Sequence, residues 1–133
     1  RGAGHSAAQG YNVVIHEFAH KLDMLTGDAD GYPPAPAGMD VRDWRRTLED
    51  EYDGFCREVD AAEASATARG QPAEYDELDV DFDPYAAENP AEFFAVMSEA
   101  FFTTPRLLRE SRPKLYDALA AFYHQDPALR LLS

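Results

Sequence analysis

The sequence has 133 residues, a length that suits one domain with a substantial hydrophobic core. Acidic residues outnumber basic ones by 25 to 12, and the resulting net charge of -13 disfavours nucleic acid and anionic membranes as direct partners. A hydrophobic fraction of 45% excludes a disordered chain, and no apolar run is long enough to cross a bilayer. A single cysteine, Cys56, excludes an internal disulfide and fits the reducing cytoplasm.

The first predicted element is a helix that begins after Asn12, a suitable N-cap, and runs to about Leu25. It carries the motif His-Glu-x-x-His at residues 16–20 within an apolar run, from which we expect a buried helix. Because four residues make slightly more than one turn, His16 and His20 stand roughly 40° apart around the helix and about 6 Å apart along it. Two imidazoles at this spacing can bind one Zn²⁺ ion.

Two acidic residues accompany these histidines. Glu17 lies about 100° from His16 around the helix, so it can reach a water molecule on the metal more easily than the metal itself. Asp23 follows His16 by seven residues and lies almost on the histidine face. From there it could accept a hydrogen bond from the outer nitrogen of a ligand imidazole. The pattern therefore predicts a zinc site with Glu17 as general base and Asp23 in a supporting position.

The middle of the chain is predicted to contain a loop, a long helix and an acidic segment. Three prolines require residues 31–38 to loop or to extend. Asp40 is a suitable N-cap for a helix over roughly 41–69, whose apolar residues recur at spacings of three and four and predict a core-facing stripe. The carboxylates within residues 74–83 lack the glycine and closing glutamate of a calcium loop, which favours a solvated loop.

A second motif, DPYAAENPAEFFAVMSEAFF, occupies residues 83–102. Asn89 and Pro90 are a favoured N-cap and first helical residue, and the helix that follows is almost entirely apolar, which predicts burial. Glu92 and Glu99 lie nearly on one face, where a divalent cation or an imidazolium would relieve their repulsion. We predict Glu92 as the third metal ligand and Glu99 as a supporting residue. The alternative for Glu92 is a first-turn acid favoured by the helix dipole.

The remainder of the chain is predicted to be helical. Helices are expected to begin at Pro105, at Pro113 and at Pro127, since proline is favoured at the first helical position. No repeat and no clear strand pattern interrupts this succession of helices. We therefore predict a mainly α fold with few or no strands, organised as a single domain over residues 1–133.

The predicted site has the composition of a catalytic centre, in which zinc keeps one coordination position open for water. The expected reaction is hydrolysis of a peptide bond by a zinc-activated water, with Glu17 accepting its proton and passing it to the leaving amine. The tetrahedral oxyanion needs a hydrogen-bond donor. Tyr85, seven residues before Glu92, could provide its phenol, although from spacing alone a rim or core position fits equally well.

Two long motifs, NVVIHEFAHKLD at residues 12–23 and the motif at 83–102, are followed by FYHQDP at 122–127. Together they resemble the Mlc titration factor A family of bacterial zinc metallopeptidases, which is distantly similar to the catalytic domain of anthrax lethal factor. The resemblance covers about residues 12–132 and implies a zincin-like catalytic domain that is the C-terminal part of a longer protein. It also implies Zn²⁺ as cofactor, with ligands at His16, His20 and Glu92, Glu17 as catalytic base and Tyr85 as transition-state tyrosine.

The resemblance further implies a cytoplasmic, aminopeptidase-like enzyme that acts on peptide or aminoacyl substrates. It also implies binding to a Mlc-like transcriptional repressor of sugar uptake. A first alternative is a non-catalytic module that binds a regulator and has a structural or vestigial zinc site. A second is a helical interaction domain without metal. Glu17 favours the enzyme, because a purely structural site has no use for a general base.

Overall fold

The computed structural model describes residues 13–27, 29–70 and 78–132. Within these ranges the chain is helical and contains no strand, which confirms the predicted fold class. None of these helices combines the length and the apolar composition that crossing a membrane requires. The helices are α1 Val13–Asp23, α2 Val41–Ala68, α3 Pro90–Thr103, α4 Pro105–Ser111, α5 Pro113–Tyr123 and α6 Pro127–Leu132, with short 3-10 helices at Met24–Thr26 and Pro84–Ala87. The predicted N-cap Asn12 and residues 74–77 of the acidic segment lie outside the described residues.

Side-chain N-caps lie at the starts of α2 and α3. Asp40 accepts hydrogen bonds from the backbone N–H groups of Arg42 at 2.8 Å and Asp43 at 3.3 Å, at the start of α2. Asn89 accepts one from the N–H of Glu92 at 2.9 Å, at the start of α3. These bonds satisfy N–H groups that have no partner inside the helix. Both N-caps agree with the sequence prediction.

The core of the described structure is built around α3. Every side chain from Phe93 to Phe101 is buried, so the helix is covered on all sides as its composition predicts. Helices α1, α2, α4 and α5 pack against it. Aromatic contacts connect α3 to α5, since the ring of Phe101 stacks on that of Tyr123 with centroids 5.7 Å apart. A helix enclosed in this way is a rigid support for the polar side chains that it carries.

The prediction that α1 is buried is wrong for its outer face. Val14 is 78% exposed and Phe18 is 55% exposed, whereas His16, Ala19 and Asp23 on the inner face are buried. Apolar composition alone predicts burial all round, but among the described residues α1 packs mainly against α3, which covers one side. The helix also ends earlier than predicted, with a 3-10 turn following it.

The proline-rich segment between α1 and α2 is not helical, as predicted, and it is bonded to α2. The indole N–H of Trp44 donates a hydrogen bond of 2.7 Å to the carbonyl oxygen of Pro33. The guanidinium of Arg45 lies 4.3 Å from the centre of the Tyr32 ring, within the range of a cation–π interaction. The segment is therefore a fixed part of the structure between the first two helices.

We expect Phe101→Ala to lower the free energy of unfolding by about 3 to 5 kcal/mol, because it removes a fully buried aromatic ring next to α5. Phe18→Ala is the matched control, since it removes the same atoms from a solvent-exposed face and should change stability by less than about 0.5 kcal/mol. Urea unfolding followed by circular dichroism measures both. Equal losses for the two variants would contradict the difference in burial between Phe101 and Phe18.

Candidate metal centre

Three side chains that the sequence singles out meet between α1 and α3. Nε2 of His16 lies 3.2 Å from Nε2 of His20 and 3.0 Å from Oε1 of Glu92. Nε2 of His20 lies 3.3 Å from the same carboxylate oxygen. Among the described residues this is the one group of three or more histidine, cysteine or acidic side chains that could hold a metal ion.

Local structure explains why these atoms converge. His16 and His20 lie one turn apart on the inner face of α1, the face that packs against α3. Glu92 is the third residue of α3, and the Asn89 cap holds its backbone. The His16 side chain is buried, while those of His20 and Glu92 are 20% and 18% exposed. The group therefore has a closed end at His16 and opens to solvent beside the other two side chains.

Glu99 contacts the far side of the His16 ring. Its Oε1 is hydrogen bonded to Nδ1 of His16, and both side chains are buried. Because a carboxylate oxygen can only accept, Nδ1 carries the proton, and in the neutral imidazole Nε2 is then the unprotonated atom that can bind a metal. Glu99 thus selects the tautomer of His16 that a metal at Nε2 requires.

The two carboxylates also control the charge of His16. Burial disfavours the imidazolium and lowers the pKa of His16, but the hydrogen bond and charge of Glu99, together with those of Glu92, outweigh it. The pKa is therefore raised above its ordinary value of 6.5. Without a metal, a protonated ring can donate to Glu99 from Nδ1 and to Glu92 from Nε2. A divalent cation would take the place of the second proton.

The separations between the candidate ligand atoms fit a zinc ion. Ligands about 2.0 to 2.1 Å from a tetrahedral zinc stand about 3.3 Å from one another. The three observed separations, 3.2, 3.0 and 3.3 Å, are close to that value. Two imidazole nitrogens and a carboxylate oxygen are also donors that suit zinc. The residues present therefore fit the group that the sequence motif implies.

Glu17 and Tyr85 lie on elements that border this group. Glu17 is exposed on α1, between the two histidines in sequence and outside the packed face. Tyr85 belongs to the 3-10 helix Pro84–Ala87, which packs against α3, and its side chain is half-buried. The backbone N–H of Tyr85 donates to Oδ1 of Asp83 at 3.0 Å, which fixes the start of this turn. Their roles in catalysis stay predictions.

Asp23 does not make the imidazole contact predicted for it. As the last residue of α1 it is fully buried, and its Oδ2 accepts a hydrogen bond of 2.6 Å from the backbone N–H of Gly31. The carboxylate that contacts the outer nitrogen of an imidazole, Nδ1 of His16, is Glu99 on α3. Helical spacing places Asp23 near the histidine face, but at the helix end its nearest partner is the loop that follows. The role of Gly31 could not be predicted from the sequence, because a loop glycine carries no signal of its own.

Two histidines one turn apart on a helix, a glutamate from a second helix and an exposed glutamate beside the first histidine are the arrangement of the His-Glu-x-x-His metallopeptidases. The chain belongs to the family described as glucose-regulated metallo-peptidase M90, whose model matches residues 1–124. The site and the family therefore define the same class of protein.

Similar proteins carry the name Mlc titration factor A. The chain is 41% identical over 125 residues to the one from Pectobacterium atrosepticum and 40% identical over 124 residues to the one from Cronobacter sakazakii. It is also 41% identical over 125 residues to the one from Salmonella paratyphi B. Each match covers 93% of this chain and 42% of the relative, so the chain spans less than half the length of these relatives.

In protein treated with a chelator, we expect the difference in Tm between the unaltered chain and Glu99→Gln to depend on pH. The raised pKa of His16 means that its imidazolium stabilises the fold fully below the unfolded pKa of about 6.5 and loses this effect as the pH rises through the folded pKa. Glutamine keeps an acceptor oxygen but removes the charge. The Tm advantage of the unaltered chain should therefore be larger at about pH 6 than at about pH 9.

Glu63→Gln, at an exposed position of α2, is the control for loss of one carboxylate from an acidic chain. Its effect on Tm should be small at both pH values. A Tm difference for Glu99→Gln that does not change with pH would contradict the bridging role of His16.

Proposed function

We propose that the chain carries the catalytic centre of a cytoplasmic, zinc-dependent peptidase with aminopeptidase-like activity. The observation that carries the proposal is the convergence of His16, His20 and Glu92, with ligand-atom separations that suit zinc. Membership of a metallo-peptidase family supports it. Because the chain spans 42% of the length of its relatives, the proposal concerns the centre and not every property of the whole protein.

In this mechanism each residue has a distinct task. His16, His20 and Glu92 would hold the zinc ion, which supplies a Lewis acid that activates water and polarises the scissile carbonyl. Glu99 keeps the proton of His16 on Nδ1, so that Nε2 is available as a ligand. Glu17, exposed beside the histidines, accepts a proton from the attacking water and delivers it to the leaving amine nitrogen.

Substrate binding and transition-state stabilisation involve two further features. Tyr85 is proposed to donate its phenol proton in a hydrogen bond to the substrate oxygen that becomes negative, since such donors stabilise tetrahedral oxyanions. The net charge of -13 attracts cations and therefore favours substrates with a free, positively charged amino group. This field supports an aminopeptidase-like preference for short peptides and aminoacyl compounds.

The catalytic role of Glu17 is tested by Glu17→Gln. We expect the rate of hydrolysis of a chromogenic aminoacyl reporter to fall about 10²- to 10⁴-fold, the usual contribution of a general base. Zinc content measured by elemental analysis should not change, because Glu17 is not among the residues that would hold the metal. Glu63→Gln, which removes an exposed carboxylate from α2, should leave both quantities unchanged.

The same measurements distinguish the alternatives. A protein that retains zinc and the same low hydrolysis with or without Glu17 would be a regulator-binding module with a structural site. A protein that takes up no zinc at all would be a helical interaction domain without metal.

We also propose that the chain contributes to a surface that binds a Mlc-like transcriptional repressor. The support is the name of the relatives, together with 41% identity that extends over 93% of this chain. The acidic surface suits a partner with an exposed basic face. Within the described residues no single patch is assigned to this contact, so the proposal concerns the protein and not particular residues.

If peptidase activity and repressor binding are separate properties, Glu17→Gln should leave repressor affinity unchanged within about threefold. An interface of ordinary size buries about 800 Å² per partner, and loss of one negative charge at an exposed residue is a small change to it. Isothermal titration calorimetry with purified repressor, with and without chelator, measures the affinity. Loss of binding on chelation would instead mean that the metal centre is part of the repressor surface.

A further inference from the structure

Asp23 connects the end of α1 to the loop that leads towards α2. It is 0% exposed, and its Oδ2 accepts the 2.6 Å hydrogen bond from the backbone N–H of Gly31. Its Oδ1 has no hydrogen-bond partner within the described part of the chain. A carboxylate in so enclosed a position is costly, and burial raises the pKa of Asp23. A buried acid whose backbone partners, Gly31 and Asp30, both lie in the following loop calls for an explanation beyond ordinary packing.

Gly31 in turn lies directly against the start of α3. Its φ of +88° is a conformation that favours glycine. A Cβ atom at this position would stand 2.5 Å from the carbonyl carbon and oxygen of Pro90 and 2.6 Å from the Cβ of Pro90. There is no room for a side chain, so the loop backbone is pressed against Pro90. Glycine is required here for two reasons, the backbone conformation and the close approach.

These contacts join the two helices that carry the candidate metal ligands. Asp23 is three residues after His20 on α1, and Pro90 is two residues before Glu92 on α3. The path through Gly31 therefore connects α1 and α3 independently of the contacts that Glu92 and Glu99 make with His16. The contact of Gly31 with Pro90 constrains the backbone two residues before Glu92.

We propose that Asp23 and Gly31 are positioning residues that set the start of α3 against the end of α1 and so fix the distance from Glu92 to both histidines. The inference rests on the proposed function for its reference to zinc, but not for its geometry. Metal sites tolerate displacements of only about 0.5 Å, so a shift at Pro90 would weaken binding even with all ligands present.

The test compares Gly31→Ala with Gly38→Ala. Both glycines have a positive φ, +88° and +84°, so an alanine strains the backbone similarly at either position. An added Cβ at Gly38 meets no atom within 4 Å, whereas at Gly31 it meets Pro90. We expect Gly31→Ala to weaken zinc binding about 10- to 100-fold, the range seen when residues that orient ligands are lost. Gly38→Ala should weaken it less than about threefold.

A second pair of variants tests the carboxylate. Asp23→Ala removes the acceptor for the Gly31 N–H and should weaken zinc binding about 10-fold or more. Asp23→Asn keeps an acceptor oxygen of nearly the same shape and should restore affinity to within about threefold of the unaltered chain. Zinc affinity is measured by competition with a chromophoric chelator, and circular dichroism reports whether each variant is folded. If Gly31→Ala does not fold, the Asp23 pair decides.

A structural measurement on zinc-free protein keeps this inference separate from the proposed function. Crystal structures of the Gly31→Ala and Asp23→Ala variants should show Nε2 of His20 and Oε1 of Glu92 more than about 0.5 Å further apart than in the unaltered chain, where they are 3.3 Å apart. Absence of zinc binding in the unaltered chain would overturn the proposed function, and these distances would still decide the positioning role. The positioning role would be overturned if the distance from Nε2 of His20 to Oε1 of Glu92 were unchanged in both variants. It would also be overturned if Gly31→Ala and Gly38→Ala weakened zinc binding equally.

Discussion

The structure depends on one imidazole held between two carboxylates. Glu92 and Glu99 belong to a helix that is largely apolar and enclosed, where Glu99 is buried, Glu92 is only partly exposed, and the two acids repel each other. The ring of His16 lies between them, with one nitrogen facing each. A proton or a metal ion at Nε2 supplies the positive charge that this arrangement needs. The contacts of His16 with Glu92 and Glu99 therefore both pack α1 against α3 and assemble the candidate metal centre.

The remaining polar side chain on the enclosed part of α3 is also paired with a side chain of a neighbouring helix. Ser98 is fully buried, and its Oγ accepts a 2.8 Å hydrogen bond from the hydroxyl of Tyr123 on α5. Burial raises the pKa of Tyr123 to about 12, so the hydroxyl stays protonated and remains a donor. Polar side chains on α3 are thus paired with α1 on one side and with α5 on the other. These hydrogen-bonded pairs determine which helix packs against each face of α3. Apolar contacts alone are less specific.

The sequence predicted features that depend on neighbouring residues in the chain. It did not predict features that depend on which other element of the fold packs against a residue. The N-caps Asp40 and Asn89 act within three residues of themselves, so their positions could be read directly. A spacing of seven residues placed Glu99 on the face of Glu92 and Asp23 on the face of His16, which is what helical geometry can provide. It could not say that Asp23 faces a loop glycine. Nor could composition show that the described neighbours cover only the inner side of α1.

Glu92 is held in two physically different ways, and this bears on how the centre would bind a metal. Its carboxylate interacts with both histidines through charge and hydrogen bonding, which vary with the protonation of His16. Its backbone is set by the Asn89 cap and by the close contact between Gly31 and Pro90, which depend on shape. A ligand whose backbone is fixed loses little conformational freedom when the metal arrives, so less of the binding energy is spent on ordering it. The steric contact therefore complements the electrostatic one, because it continues to hold Glu92 near both imidazoles when His16 gives up its second proton.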